Sequence, residues 1–368
     1  MIYLDHGATS FPKPAQVARA MVKALETCAN PGRGGHEPAM AAAEVVLRCR
    51  TEAGRLFDCD PEKVVFTANC TQGMNMAIHT LVKPGSRVVI SGFEHNAVTR
   101  PLHQRNAEIV VAGRRLFDWD DTLEKWEKAL KNGADAAVFT HISNVFGYIL
   151  PVYEMAALCR KYGVPFAVDA AQSAGIVPVS LQKMGADFIA MPGHKGLLGP
   201  QGTGLLLCGR SLVPLISGGT GSLSVDQTMP DFLPDGGEAG TVNVPGIAGL
   251  GAGLRYLKRE GIDRIFERER RQAAHLAVEL EKMGLQVFRG EHQAGTVSFV
   301  PKCDCEELAD YLSQRGICVR AGLHCAPLAH ESAGTLDTGT VRVSFGHDAS
   351  NGQRENLLKI LRNSKAKI

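Results

Sequence analysis

The sequence predicts an α/β protein: a mostly parallel, seven-stranded sheet covered by helices, with a second, smaller α+β domain. From about residue 14 to about residue 210, helix-like segments alternate with short, continuously apolar segments of strand length. Such strands are typical of a parallel sheet that carries helices on both faces. After about residue 245 the pattern changes to long helices followed by mixed short elements. We therefore expect a large domain over residues 13–245 and a small domain over residues 246–368 together with 1–12.

The large domain begins with an amphipathic helix, which Pro14 opens and in which Val17, Met21 and Leu25 follow at helical spacing. Further helices are predicted over residues 71–81, 121–131 and 153–162. The seven predicted strands lie at residues 64–66, 87–90, 109–111, 136–139, 165–168, 188–191 and 204–207. In such sheets ligands bind beyond the carboxyl ends of the strands, so the functional residues are expected there.

The small domain is predicted to begin with two long helices within residues 245–283, separated at Gly261. The elements expected after them are a strand at 297–300, a helix near 305–315, strands at 318–320 and 341–343, and a C-terminal helix. Residues 328–340 have the composition of a polar loop that contains Gly and Thr.

The composition indicates a globular protein and excludes several functional classes. Hydrophobic residues make up 45% of the chain and charged residues 21%, which is ordinary for a globular protein. The formal net charge is +2 and no basic tract points to nucleic acid. No apolar run approaches the roughly 18 residues of a membrane helix, and the N-terminus lacks a signal-peptide pattern. We therefore expect a cytoplasmic protein that binds neither nucleic acid nor a membrane.

The ten cysteines are scattered along the chain, and none forms a C-x-x-C pair. Cys303 and Cys305 form a C-x-C pair that, with Cys318, offers three thiols to a metal, but this spacing is a weak signal. We therefore expect no metal centre. In a reducing compartment most of these cysteines would serve as small buried hydrophobic residues.

Two polar residues at strand ends carry the main chemical signal. Asp169 follows the strand at 165–168, and on its own it is interpreted as a helix cap. Lys195 follows the strand at 188–191, where a solvated loop lysine is the ordinary alternative. A P-loop is excluded, because His194 rather than Gly precedes the lysine and no Ser or Thr follows it. A Schiff-base lysine for pyridoxal phosphate (PLP) is favoured, since this cofactor also needs an Asp at its pyridine nitrogen.

Two further segments suit a planar cofactor that carries a phosphate. Residues 68–72 lie between a strand and a helix, where backbone N–H groups and the Thr71 hydroxyl can bind an anion. A simple N-cap by Asn69 or Thr71 is compatible with that role. His95 follows the strand at 87–90, where an imidazole can stack on a ring, although a lone histidine is more often structural.

Five segments together resemble a known family: residues 3–10, 168–172, 193–195, 320–326 and 341–344. They are similar to the motifs of class V aminotransferase-fold enzymes, and especially of the cysteine desulfurases, in the short-loop branch that also contains selenocysteine lyase. The resemblance covers nearly the whole chain. It implies the fold type I architecture of PLP-dependent aminotransferases, with PLP as the cofactor.

The resemblance implies a role for each matched residue. Lys195 would bind the cofactor covalently, Asp169 would lie at the pyridine nitrogen, and Gln172 would lie at the phenolic oxygen. His95 would stack on the ring and move protons, and Asn144 would lie near the ring and the substrate. The phosphate would be held by Thr71, Cys70 and His194. Arg342 would bind the substrate α-carboxylate bidentately. Thr241 would reach the phosphate from the other subunit of a homodimer. Cys325 would be the nucleophile, with His324 or Arg320 lowering the pKa of its thiol.

The implied activity is that of a cysteine desulfurase, which removes sulfur from L-cysteine and releases L-alanine. The sulfur would stay as a persulfide on Cys325 for a sulfur-acceptor protein, as in iron–sulfur cluster assembly. The loop from Cys325 to Arg342 is short, which in this family goes with a less mobile cysteine and dependence on a dedicated acceptor. The alternatives are selenocysteine lyase, a transaminase or an amino-acid epimerase on the same cofactor, and a non-catalytic PLP-binding protein.

Three residues differ from the family pattern. Pro192 stands where relatives usually have a hydroxyl residue at the phosphate, so one hydrogen bond of about 1 kcal/mol is missing. Cys70 replaces a hydroxyl residue in the phosphate loop. His6 replaces an Asn in the opening motif, near the substrate side.

Overall fold

A computed structural model of the chain describes residues 1–32 and 34–364. The strands in these residues are β1 (Ile2–Tyr3), β2 (Val64–Thr67), β3 (Arg87–Ser91), β4 (Glu108–Ala112), β5 (Ala136–Thr140), β6 (Phe166–Asp169), β7 (Phe188–Pro192), β8 (Gly204–Cys208), β9 (Gln286–Phe288), β10 (Thr296–Val300), β11 (Ile317–Cys318), β12 (Arg320–Gly322) and β13 (Thr340–Ser344).

The α-helices in the same residues are α1 (Ala15–Thr27), α2 (Glu37–Leu56), α3 (Cys70–Leu81), α4 (Asn96–Gln104), α5 (Trp119–Lys131), α6 (Val152–Lys161), α7 (Leu181–Met184), α8 (Val244–Glu260), α9 (Ile262–Lys282), α10 (Cys305–Ser313), α11 (Pro327–Ala333) and α12 (Asn351–Arg362). Short 3-10 helices lie at Pro61–Lys63 and Asp235–Gly237. Each of these helices is too short or too polar to span a membrane.

The predicted seven-stranded sheet is confirmed, and its order is β2-β8-β7-β6-β5-β3-β4. All neighbouring strands are parallel except β8, which runs antiparallel to both β7 and β2. The strand β2 therefore runs in the same direction as β7, and both end opposite Gly204, the first residue of β8. The carboxyl ends of β2, β3, β5, β6 and β7 consequently lie at one edge of the sheet, where the sequence predicts the functional residues.

Both faces of this sheet are buried, which explains why its strands are continuously apolar. Along β5, Val138 packs into one hydrophobic cluster and Phe139 into another on the opposite face. In β8, Leu206 and Leu207 are divided in the same way. Successive side chains of a strand point to opposite faces, so a strand covered by helices on both sides needs apolar residues at every position.

The C-terminal part has its own core and two smaller sheets, in agreement with the α+β prediction. One sheet has the order β12-β13-β10-β9, and the other pairs β1 in parallel with β11. Through β1 the first residues of the chain join this part, and Leu4 is fully buried in its core. Gly261 separates α8 from α9 as expected, although α8 packs on α1 and α2. The domain bounds at 13–245 and 246–368 stay a prediction.

Two predicted elements of this part are wrong in detail. The strand expected at 318–320 is two strands, because the chain leaves the sheet of β1 after Cys318 and enters the sheet of β13 at Arg320. The loop expected at 328–340 begins within α11. Pro327 occupies the first turn of this helix, where its missing N–H is harmless, and Gly334 ends it in a left-handed conformation. The sequence reasoning also missed the helices α2 and α4.

Candidate active site

A cavity of about 240 Å³ opens at the carboxyl edge of the large sheet. Ten of the eleven predicted site residues line it: Cys70, Thr71, His95, Asn144, Asp169, Gln172, His194, Lys195, Cys325 and Arg342. They come from the ends of several strands and from the C-terminal part of the chain. Residues that are remote in sequence are thus brought together around one cavity.

Lys195 lies just beyond the end of β7. This strand is the neighbour of β6, which carries Asp169. Burial lowers the pKa of the Lys195 ammonium group; the negative charge of Asp169 opposes this, and the positive charge of Arg342 adds to it. A lowered pKa increases the fraction of neutral amine, which is the form that attacks a carbonyl. Lys195 is therefore suited to act as a nucleophile.

Asp169 is the last residue of β6 and is 2% exposed. Its Oδ1 accepts hydrogen bonds from the backbone N–H of Ala171 at 2.8 Å and from the thiol of Cys70 at 3.4 Å. These bonds hold the carboxylate in place at the cavity, which Asp169 lines. A buried carboxylate at this point can pair with a protonated ring nitrogen.

The first turn of α3 supplies an anion site. Asn69 caps this helix, since its side chain accepts a hydrogen bond from Gln72 N, so the simple N-cap interpretation of Asn69 is correct. The backbone N–H groups of Cys70 and Thr71 lie in the first turn, where no intrahelical acceptor exists, and both residues line the cavity. The Cys70 side chain itself is engaged by Asp169, and burial raises the pKa of its thiol well above the ordinary value.

His95 begins α4 as its N-cap, and its Nδ1 accepts a hydrogen bond from Ala97 N at 2.9 Å. Burial lowers the pKa of the imidazole, while the charge of Asp169 opposes the shift. A neutral ring that accepts at Nδ1 carries its proton on Nε2. His95 is thereby held in one orientation at the cavity wall.

His194 links the cavity to the opening segment, residues 1–12. Its carbonyl oxygen accepts hydrogen bonds from Ser10 N at 3.0 Å and Thr9 Oγ1 at 3.0 Å in this segment, and from Nζ of Lys13, which follows it, at 2.7 Å. Burial lowers the pKa of its imidazole to about 4, and its Nδ1 is buried without a hydrogen-bond partner. Gln172 is tied to the same segment, because its Nε2 donates to Gly7 O at 2.9 Å.

Arg342 is 2% exposed and is held from two sides. One terminal nitrogen donates to Asp5 Oδ1 at 2.6 Å and the other to Asn144 O at 2.8 Å, whereas Nε is buried without a partner. Gly7 lies so close that a Cβ there would stand 3.1 Å from the guanidinium carbon. Asp5 is a site residue to which the sequence reasoning gave no role, although it belongs to the matched opening motif.

Cys325 is exposed at the mouth of the cavity, and its backbone is fixed. Asn96 N donates to Cys325 O at 2.8 Å, and Asn144 Nδ2 donates to His324 O at 2.7 Å. His324 and Cys325 have φ values of 50° and 57°. This left-handed backbone is rare for residues other than glycine and is found where the surroundings enforce it.

His324, one of the two residues expected to activate the Cys325 thiol, carries no positive charge. Burial and the charge of Arg342 lower the pKa of His324 to about 2, so its ring is neutral at physiological pH. Its Nε2 lies 3.1 Å from Thr340 Oγ1. Arg320, which also lines the cavity, is the remaining candidate for a nearby cation.

Thr241 is the predicted site residue that does not line this cavity. It is exposed and borders a separate cavity that also includes Gln72 and Glu238. Gln72 follows Thr71 in the first turn of α3, so the two cavities meet near the same helix end. The contact of Thr241 with the phosphate of a second subunit stays a prediction.

The donor set fits a planar, phosphate-bearing cofactor. The start of α3, with its unpaired N–H groups, lines the cavity and can bind a phosphate, and Asp169 and Lys195 line it as partners for a ring nitrogen and an aldehyde. The buried, unpartnered Nδ1 of His194 and Nε of Arg342 are polar atoms that bound ligands would satisfy. Pro192, which also lines the cavity, has no side-chain donor to offer.

Comparison with known proteins gives a consistent result. The family model for aminotransferase class-V matches residues 2–357. The chain is 34% identical to a probable cysteine desulfurase of Methanothermobacter thermautotrophicus, over 94% of this chain and 90% of that protein. It is 33% identical to a probable cysteine desulfurase of Pyrococcus abyssi, over 94% and 89%. The structure of an apo cysteine desulfurase from Thermococcus onnurineus NA1 superposes with a TM-score of 0.89 at 31% identity, over 98% of this chain and 94% of that chain.

Proposed function

This chain belongs to the aminotransferase class-V family, and from that premise we propose that it is a PLP-dependent cysteine desulfurase. The observation that carries the proposal is that Lys195, Asp169, Arg342 and Cys325 line one cavity. An amine, a carboxylate, a carboxylate-binding guanidinium and an exposed thiol are the four groups that this reaction needs. The curated relatives named cysteine desulfurase support the same activity.

Lys195 would bind the cofactor covalently, Asp169 would face its ring nitrogen, and Gln172 and His95 would contact the ring. The start of α3, with Thr71, and His194 would hold the phosphate. When bound, PLP would supply an electron sink for the charge that develops on the substrate carbon. This assignment is supported by the lining of the cavity and by the unpaired donors at its ends.

The protein side chains would divide the remaining work. Arg342 would bind the substrate carboxylate, with Nε as a donor that has no protein partner. Lys195, once displaced by the substrate amine, would take the Cα proton, because its pKa is lowered. Cys325, as a thiolate, would attack the substrate sulfur. The C–S bond would break with its electron pair left on Cβ, a proton delivered to Cβ would give L-alanine, and the sulfur would stay on Cys325 as a persulfide.

The same proposal includes a sulfur-acceptor protein, a homodimer and a cytoplasmic location. The acceptor is supported by the exposure of Cys325 together with its fixed backbone, since an immobile persulfide needs a partner that approaches it. The cytoplasmic location is supported by ten free thiols, which persist in a reducing compartment.

The test is an absorbance spectrum of the purified protein before and after addition of L-cysteine, with alanine and sulfide assayed in the same sample under dithiothreitol. We expect a visible cofactor band that the Lys195→Ala variant lacks, and equal amounts of both products. The Cys325→Ser variant should keep the band and lose sulfide. No band after addition of PLP would overturn the proposal; a band with alanine and sulfide also formed by Cys325→Ser would remove the role of Cys325.

A further inference from the structure

Two histidines and an aspartate meet beside the catalytic cavity. His6 follows β1, and His347 and Asp348 lie in the turn between β13 and α12. One ligand atom from each residue lies within 4.8 Å of the others. Both histidines line a second cavity of about 40 Å³, which shares Lys195 with the catalytic cavity and also includes Glu269.

The two histidines have nitrogen atoms that the protein leaves unsatisfied. Each residue is 8% exposed, and both ring nitrogens of His6 and Nδ1 of His347 are buried without a hydrogen-bond partner. His6 Nε2 lies 3.4 Å from Asp348 Oδ1, near enough for an electrostatic contact. Buried polar atoms are nearly always paired, so unpaired nitrogens that converge with a carboxylate indicate a ligand.

We propose that His6, His347 and Asp348 bind a divalent transition-metal ion, for which Zn²⁺ is the best match. Two imidazole nitrogens and one carboxylate oxygen form a donor set that zinc accepts, with a water as the fourth ligand, whereas Mg²⁺ and Ca²⁺ prefer oxygen alone. One water needs roughly 10–15 Å³, so the cavity of about 40 Å³ that His6 and His347 line, and that Asp348 does not, has room for the water ligand.

Geometry and charge support the choice of zinc. Around a tetrahedral zinc ion, ligand atoms lie about 3.4 Å apart, so the present separations of up to 4.8 Å must contract by up to about 1.4 Å. Asp348 is more exposed than the histidines and can supply this movement by rotating its side chain. The charged groups near His347 include Asp348, Glu260, Lys13 and Arg268, and Glu269 lines the same cavity. Imidazole nitrogen suits zinc, whereas carboxylate and carbonyl oxygens suit magnesium and calcium.

Such an ion would join the opening segment to the turn after β13. The backbone already connects them, since His6 N donates to Ser344 O at 3.3 Å and Gly7 N to Ser344 Oγ at 2.8 Å. Asp5, the residue before His6, holds Arg342. The metal would therefore fix the segment that positions the predicted carboxylate-binding arginine. This assignment does not depend on the proposed reaction.

The test uses the untagged holoenzyme in a Cys325→Ser background, which removes the exposed thiol as a competing zinc ligand. The protein is stripped with a chelator and titrated with Zn²⁺, and bound zinc and thermal midpoint are measured. We expect one equivalent of zinc and a midpoint that rises with zinc concentration, because a ligand of the folded state stabilises it.

Matched variants assign the ion to this group. Asp348→Asn and His6→Asn should weaken zinc binding roughly tenfold or more and abolish the rise in midpoint, while His103→Asn, an exposed histidine, should change neither. If His6→Asn does not fold, Asp348→Asn decides alone, because its side chain is partly exposed. Undiminished zinc binding by Asp348→Asn, or no zinc binding by the folded parent, would overturn the proposal.

Discussion

At the scale of single residues, Arg342 shows how the site combines rigidity with free donor capacity. Asp5 and the Asn144 carbonyl hold its two terminal nitrogens, and Nε is left unpaired. The guanidinium is thus oriented before any substrate binds. A guanidinium group that is already oriented loses little conformational entropy when it binds a carboxylate. The flexible side chain of a lysine would lose more.

We predict that Arg342→Lys raises KM for L-cysteine by about tenfold to a hundredfold, the equivalent of one charged hydrogen bond. The cofactor band should be unchanged. Steady-state kinetics and the absorbance spectrum measure the two effects. Arg362→Lys, on the exposed face of α12, is the control and should leave KM unaltered. An unchanged KM in Arg342→Lys would mean that another group binds the carboxylate.

Glu94, the residue before His95, is fully buried and forms no ion pair in the described part of the chain. Its Oε1 accepts hydrogen bonds from Thr140 N at 3.0 Å and from Ser91, while Oε2 is buried without a partner. Burial raises the pKa of this carboxyl from 4.5 to about 8. The proton of the neutral form is thus expected on Oε2, and glutamine imitates that form.

The raised pKa makes stability depend on pH. Between about pH 4.5 and pH 8 the folded state holds a proton that the unfolded state has lost, so stability falls as pH rises through this window. The total decrease is on the order of a few kcal/mol. Glu94→Gln should match the parent near pH 5 and be more stable near pH 9. Chemical denaturation of both proteins across this range measures the difference, and parallel curves would contradict the assignment.

The residue-scale chemistry was partly visible in the sequence. Lys195 and Asp169 stand at the ends of predicted neighbouring strands, so their proximity follows from the sheet. The neutral state of His324 could not be predicted, because it depends on burial and on Arg342, which is distant in the chain. The pairing of Asp5 with Arg342 was hidden for the same reason: it joins opposite ends of the sequence.

At the scale of elements, α8 approaches the loop after Lys195 closely enough to need a glycine. A Cβ at Gly253 would lie 2.3 Å from the carbonyl oxygen of Leu197, whereas a Cβ at Gly251 would meet its neighbours at 3.4 Å or more. The two glycines are two positions apart in the same helix and differ in what surrounds them.

We predict opposite effects of alanine at these two positions. Gly251→Ala should stabilise the protein by up to about 1 kcal/mol, because alanine favours the helix. Gly253→Ala should destabilise it and reduce cofactor retention, since α8 must move away from the loop that carries Lys195. Thermal unfolding and the cofactor absorbance after dialysis measure both effects. Equal behaviour of the two variants would show that the close approach has no consequence.

The predictability of an element depended on whether its environment was uniform. The strands of the large sheet are buried on both sides, and their apolar runs revealed them. The helix α2 was missed because Met40 and Leu47 are 59% and 62% exposed, which blurs its amphipathic pattern. The segment around Val319 looked like one strand because sequence does not show that the chain changes sheets there.

At the scale of the whole molecule, the proposed homodimer concerns Thr241. This residue lies outside the catalytic cavity of its own chain but borders a cavity that reaches the first turn of α3. We predict a dimer by light scattering, and a Thr241→Val variant that releases PLP faster with the dimer intact, because one phosphate hydrogen bond of about 1 kcal/mol is lost. A monomer that retains PLP fully would exclude this role.

The overall architecture could be predicted from the sequence because it rests on regular patterns. Strands and helices alternate in the first part, and near residue 245 the pattern changes to long helices followed by mixed short elements. Residues 1–12 are predicted to belong with the small domain, but the pairing of β1 with β11 did not follow from any pattern. The strand β1 is two residues long and pairs with the equally short β11, so the association is determined by tertiary packing, with Leu4 fully buried.

The fixed backbone at Cys325 has a consequence for how sulfur leaves the protein. Hydrogen bonds from Asn96 and Asn144 hold the chain on either side of the thiol, so it has no tether on which to swing outward. The proposed acceptor would therefore have to bring its own nucleophile to the exposed thiol of Cys325 at the cavity mouth. The cost in conformational entropy of aligning the two groups for transfer would then be borne by the acceptor rather than by this chain.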